Sequence, residues 1–177
     1  MLEATFVRRR GRRDRVYVRR DDGTSTGWQF PAYGDSPPHD LCHLIVEEEL
    51  GLTDGFWGLV DQGVDVALVN NRATLVRDGK PLGHQAGCDL SGLREAEAAV
   101  AALVGAAVDT EELARLASWE RPPAPVDGPG FPGTDPPIRV TPAAAATIAD
   151  RLLGLAKRWR ALGDGGAIRL MFSARPI

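Results

Sequence analysis

The sequence predicts an α+β fold, and three observations carry that expectation. Three short runs near the start have strand propensity and are separated by turn residues. Several later stretches carry helix caps and helical periodicity. A final strand-like run at 167–173 lies one turn beyond the last helix. Together they describe a three-stranded antiparallel meander packed with helices, with a C-terminal helix and strand returning to the sheet. At 177 residues the length fits a single domain spanning 1–177.

The elements follow in order. Residues 3–9, 14–20 and 25–30 read as strands, because Val16, Tyr17 and Val18 favour strands while Gly11 and Asp22-Gly23 favour turns. Gaps this short require antiparallel pairing. Ser36 and Pro37 suit the cap and first position of a helix running to about Leu50, and Gly51 ends it. Thr53 or Asp54 can cap a short second helix through Asp61. Residues 64–69 and 73–76 read as strands joined at Asn70-Asn71, with a turn at Asp78-Gly79, although helix is an alternative there. The Ala-rich segment 91–107 reads as helix, and another is expected from Asp109 or Thr110 to Trp119. Prolines and glycines make 121–137 a long loop or linker. Thr141 caps a helix to about Leu162 with Pro142 in its first turn, and 163–166 turn the chain into the last strand.

Composition narrows the function classes. Hydrophobic residues make up 44% and charged residues 25%, as in ordinary globular proteins. No run of 18 apolar residues exists, so no membrane span is expected. The start lacks the apolar core of a secretory signal, and Cys42 and Cys88 are the only cysteines, so a reducing cytoplasm is expected. Abundant Ala, Gly, Pro and Arg with few Lys suggests a GC-rich, bacterial genome. The net charge of -3 hides an asymmetry: eight arginines stand against Glu3 and Asp14 in the first 20 residues. Such a basic edge could steer an anionic partner, or guard an exposed hairpin against aggregation.

One helix concentrates chemistry. At 100° per residue, His39, His43, Glu47 and Asp40 share one stripe, with Leu41, Cys42, Leu44, Ile45 and Val46 on the other side. Two histidines four residues apart stack their imidazoles on one face and can share a metal ion. The stretch His39-Asp40-Leu41-Cys42-His43 resembles the His-Glu-x-x-His helix of zincin metallohydrolases, with Asp40 where that motif has its water-activating glutamate. The resemblance implies a hydrolytic enzyme holding Zn(II) at His39 and His43, with Asp40 handling a proton. Fe(II) or Mn(II) are other occupants, and iron would point to oxygen chemistry. Glu47 is a candidate third ligand, or a partner orienting His43; His84 is the leading alternative ligand. His84 and Cys88, also four apart, would complete a closed four-ligand site with the first pair. The alternative to a metal is an ordinary solvated helix face. Trp28, Tyr33, Phe56 and Trp57 can wall a pocket beside the stripe or simply pack the core.

The expected function is thus a metal-dependent enzyme, hydrolytic, acting on a small molecule or peptide. Two other classes stand beside it: a binding module whose Arg-rich hairpin contacts nucleic acid or an acidic protein, and a regulatory or immunity-type partner without chemistry.

Overall fold

Strands β1 (Leu2–Val7), β2 (Asp14–Arg20) and β3 (Ser25–Phe30) form the predicted meander. The computed structural model describes residues 1–30, 34–70, 72–85, 87–106 and 140–173. The helix expected at 109–119, the loop at 121–137 and Tyr33 lie outside the described residues. Strand β7 (Ala167–Phe172) adds antiparallel to β1, placing Leu2 opposite Phe172, so the sheet order is β3-β2-β1-β7. The fold is α+β, with the C-terminal strand returned to the N-terminal sheet.

Alternation along these strands decides the sheet's two faces. Leu2, Ala4, Phe6, Val16, Val18, Trp28, Phe30, Ile168 and Phe172 point inward and are buried. Against them pack α1 (His39–Glu49), α2 (Phe56–Asp61) and α4 (Pro142–Ala161), while α3 (Ser91–Ala106) lies on α1 and α4. Trp57 sits at the centre, with ring centroids 5.8 Å from Phe6 and 6.5 Å from Phe172.

Helix α1 starts later than predicted. Its N-cap is Pro38, with ψ 143°, and no side chain caps it. Pro37 precedes another proline and is thereby pushed out of the helical region, so Ser36 cannot act as the cap. The other end matches expectation. Gly51 is left-handed at φ 65°, and the Gly51 and Leu52 amides reach back to the Glu48 and Glu47 carbonyls in a Schellman turn. On α4, Thr141 accepts a hydrogen bond from the Ala144 amide at 3.1 Å, as its sequence implied.

Residues 65–69 and 72–77 are strands rather than helix. β4 (Asp65–Val69) pairs with β5 (Arg72–Arg77), which pairs with the two-residue β6 (Lys80–Pro81). Asp78 and Gly79 both have positive φ, as a hairpin turn of this hand requires. A 3₁₀ turn, Leu82–His84, follows. Among the described residues no helix is long and apolar enough to cross a membrane.

Two members of the basic cluster are interior fasteners. Arg8 is 6% exposed and donates from Nη1 to the carbonyls of Trp159 (2.7 Å) and Arg160 (3.0 Å) at the end of α4. Arg20 is equally buried. Its Nε donates to the Val60 carbonyl at 2.6 Å, and its Nη2 to the Val64 carbonyl and Asp65 Oδ1, both at 2.8 Å. These contacts predict that Arg20→Ala lowers unfolding free energy by about 2–3 kcal/mol. Exposed Arg12→Ala should change it by less than about 0.5 kcal/mol. Urea titrations of the two variants check this, and equal effects would refute a structural role for Arg20.

Candidate metal centre

Helix α1 places His39, Asp40, His43 and Glu47 on one side, as their spacing dictates; His39 at its start is exposed, but the side is buried further along. Helices α2 and α3 cover it, leaving His43 3% and Glu47 0% exposed. A purely solvated helix face is therefore excluded for these two residues.

Glu47 is committed to the protein. Its Oε1 accepts from the Phe56 amide (3.0 Å) and meets His43 Nδ1 (3.1 Å). Its Oε2 accepts from the amides of Trp57 (2.8 Å) and Gly58 (3.4 Å). The carboxylate thus satisfies the first turn of α2, a task the sequence had given to Thr53 or Asp54; the N-cap is Gly55, which has no side chain to do it. A Cβ on Gly55 would stand 2.6 Å from the Glu47 carboxyl carbon, so the glycine makes the approach possible. Burial pushes the Glu47 carboxyl up, against the pull of His43 and the α2 amides. Three backbone N–H donors on the two oxygens favour the charged carboxylate, which has no proton of its own to place among them. A carboxylate there favours a proton on His43 Nδ1, and Nε2 is the atom the ring presents toward His39 and Glu97.

That nitrogen meets two others of the same character. His43 Nε2 lies 3.2 Å from His39 Nε2 and 3.3 Å from Glu97 Oε2, and His39 Nε2 lies 3.4 Å from the same Glu97 oxygen. Three electron-pair donors converge, and such a group could hold a metal ion. Without one, a proton must serve. Burial opposes a charged His43, but hydrogen bonds to Glu47 and Glu97 outweigh it and raise its pKa to about 9. Hydrogen bonds to His39 and His43 hold Glu97 well below the usual carboxylate range.

Glu97 was not among the residues singled out from sequence. It lies on α3, on the rim of the apolar stripe formed by Leu93, Ala96, Val100 and Leu103, so its only local signal is a charge beside a buried face. Glu47, predicted as a ligand or as a partner of His43, stands on His43 Nδ1, away from the cluster. Asp40 has its Oδ2 fixed by the Trp28 indole N–H at 2.8 Å, and burial pushes its carboxyl up. The Trp57 indole binds the Asp40 carbonyl at 2.7 Å. Among the described residues no group of three or more possible ligands includes His84 or Cys88; His84 is exposed in the 3₁₀ turn, so the closed four-ligand site is not formed. Cys42 is buried and its thiol is pushed up to about 12 by burial, which removes it as a nucleophile.

The cluster opens onto a cavity of about 310 Å³. His39, Asp40, His43 and Glu97 form its polar end, and Phe56 with Leu75, Leu82, Leu90 and Leu93 forms its apolar walls. Of the predicted aromatics, Phe56 therefore lines the pocket, while Trp28 and Trp57 are core that supports it.

Comparisons with protein-family models, with curated proteins and with solved structures find no match, so the chemistry of this site stands on its own geometry.

Glu47→Gln should expose the weight of the tie between α1 and α2. The amide keeps the shape but turns an N–H₂ toward backbone donors, so unfolding free energy should fall by about 2–3 kcal/mol. Glu48→Gln removes only a partly exposed pair with Arg151 and should cost under about 1 kcal/mol. Denaturant unfolding of both variants measures the difference.

Proposed function

We propose that the chain is a metal-dependent enzyme in which His39, His43 and Glu97 hold Zn(II), acting by hydrolysis on a small molecule or peptide. The observation that carries this reading is the triangle of ligand atoms, with sides of 3.2, 3.3 and 3.4 Å, at the polar end of a cavity. Tetrahedral ligands about 2.0–2.1 Å from zinc stand about 3.3 Å apart.

A divalent cation held by His39, His43 and Glu97 would supply a Lewis acid and lower the pKa of water bound to it. The chain's own residues supply the remainder. Glu47 fixes the ring of His43 and raises its basicity, the role carboxylates take behind ligating histidines. Asp40, held by Trp28 and lining the same cavity, accepts the proton of the attacking water as the new C–O bond forms. It returns that proton to the leaving nitrogen or oxygen as the old bond breaks, giving an acid and an amine or alcohol.

Metal content by mass spectrometry tests the reading, on protein purified without a tag or chelator. Near-stoichiometric zinc is expected in the wild type and in Asp40→Asn, with loss in His39→Ala/His43→Ala and in Glu97→Ala. Glu47→Gln should retain zinc but bind it about 10–100-fold more weakly. A wild-type chain that neither carries nor takes up a divalent metal would defeat the proposal.

One observation favours the binding-module reading as a second. The outer face of the sheet presents Arg15, Arg19 and Arg169 around Tyr17, which is 50% exposed, with Glu3 between Arg19 and Arg169 as an acidic neighbour that both pair with. A basic face with an aromatic platform suits single-stranded nucleic acid. Arg8 and Arg20 are spent internally, so the hairpin offers less than its composition implied. Tyr17→Ala and Arg15→Ala should then each weaken salt-sensitive binding to a single-stranded oligonucleotide; no binding at low salt would dismiss this second reading.

A further inference from the structure

We infer, on the basis of the metal-centre reading above, that the cavity selects an uncharged substrate with an apolar group beside the cleaved bond. The polar lining groups lie together: His39, His43 and Glu97 meet within 3.4 Å, and Asp40 is on the same helix beside the two histidines. The other large lining side chains are hydrocarbon and come from separate elements: Phe56 from α2, Leu75 from β5, Leu82 from the 3₁₀ turn, and Leu90 and Leu93 at the start of α3. A substrate whose polar bond lies at the cluster must lay its neighbouring group on these side chains.

Charge decides what that group can be. Among the described lining residues there is no lysine or arginine, while Asp40 and Glu97 are acidic. A dication at the cluster would be balanced by those two carboxylates. A carboxylate or phosphate on the substrate's far end would then face leucines and two acidic side chains with no cation beside it, which disfavours binding. The wall is also preformed. Leu75 and Leu82 belong to the buried core, and Phe56 is braced by Trp28 and Trp57 at centroid distances of 5.6 and 5.4 Å. The second sheet therefore has a use: it closes the apolar end of the pocket.

Two parallel titrations test the inference. In the first, metal-free protein is titrated with hexanamide and with succinamate, read by tryptophan fluorescence, since Trp28 and Trp57 back Phe56. Hexanamide should bind and succinamate should not. In the second, zinc-loaded protein is titrated with acetohydroxamate, hexanohydroxamate and the monohydroxamate of succinate. The hexanoyl tail should improve affinity over acetyl by at least about tenfold, given roughly fourfold per buried methylene, and the succinyl tail should give no gain. Leu90→Lys, at a half-buried position outside the ligand set, should keep zinc and shift preference toward the succinyl probe. If zinc binds but tail length has no effect, or the anionic tail is preferred, the inference is overturned and the metal centre stands. If no zinc binds yet hexanamide is taken over succinamate, the metal reading falls and the pocket's preference stands. Failure of both amides to bind the metal-free protein counts against the inference.

Discussion

Four N–H groups converge on the carboxylate of Glu47, three from the first turn of α2 and one from His43. Removing a carboxylate from water is costly, and only this full set of donors makes the position tenable. The consequences run outward in two directions. Toward the core, the bonds to Phe56, Trp57 and Gly58 fix α2 against α1 and seat Trp57 among Phe6, Trp28 and Phe172. Toward the cavity, the bond to His43 Nδ1 settles which ring nitrogen faces His39 and Glu97. One buried charge therefore sets both the packing of the sheet's inner face and the aim of a candidate ligand.

Helix α2 has six residues, too few to be stable alone. Its ends are held by charges of the sign its dipole favours: the Glu47 anion on its N-terminal amides and the Arg20 cation on the Val60 carbonyl near its C-terminus. Arg8 does the same at the end of α4. Each of these charged groups satisfies backbone atoms at a helix end that apolar neighbours could not. Each also joins elements distant in sequence, which a generic hydrophobic contact would do less selectively. The placement removes two of the eight N-terminal arginines, Arg8 and Arg20, from any ligand surface.

The order of elements was legible because it rests on local physics. Turn residues bounded the meander, Gly51 ended α1 and Thr141 with Pro142 began α4, each acting within a few residues of its own position. The start of α1 was misplaced because Pro37 is itself restricted by Pro38, a neighbour effect that a single good cap at Ser36 obscured. At the site, the His39–His43 pairing followed from helical spacing alone. Glu97 was invisible because its place beside them depends on how α3 docks, and no spacing between residues 43 and 97 encodes that. The burial of Glu47 was hidden for the same reason: the wheel showed a polar stripe, and only the arrival of α2 turned it into an interior.

The contribution of α3 has a further implication for any ion bound at this cluster. Two histidines on one helix are set by α1 alone, and their geometry survives as long as that helix does. The third donor is set by the seam between α3 and its neighbours, where Ala96 and Ala99 are buried and small enough for close approach. A cation held by all three would bind the docked arrangement and not the separated one, and so would add its binding free energy to the docking of α3 on α1. The cavity's apolar wall shares that dependence, because Leu90 and Leu93 stand at the start of the same helix. Ligand set and pocket wall are therefore completed by one packing event, and whatever displaces α3 must disturb both together.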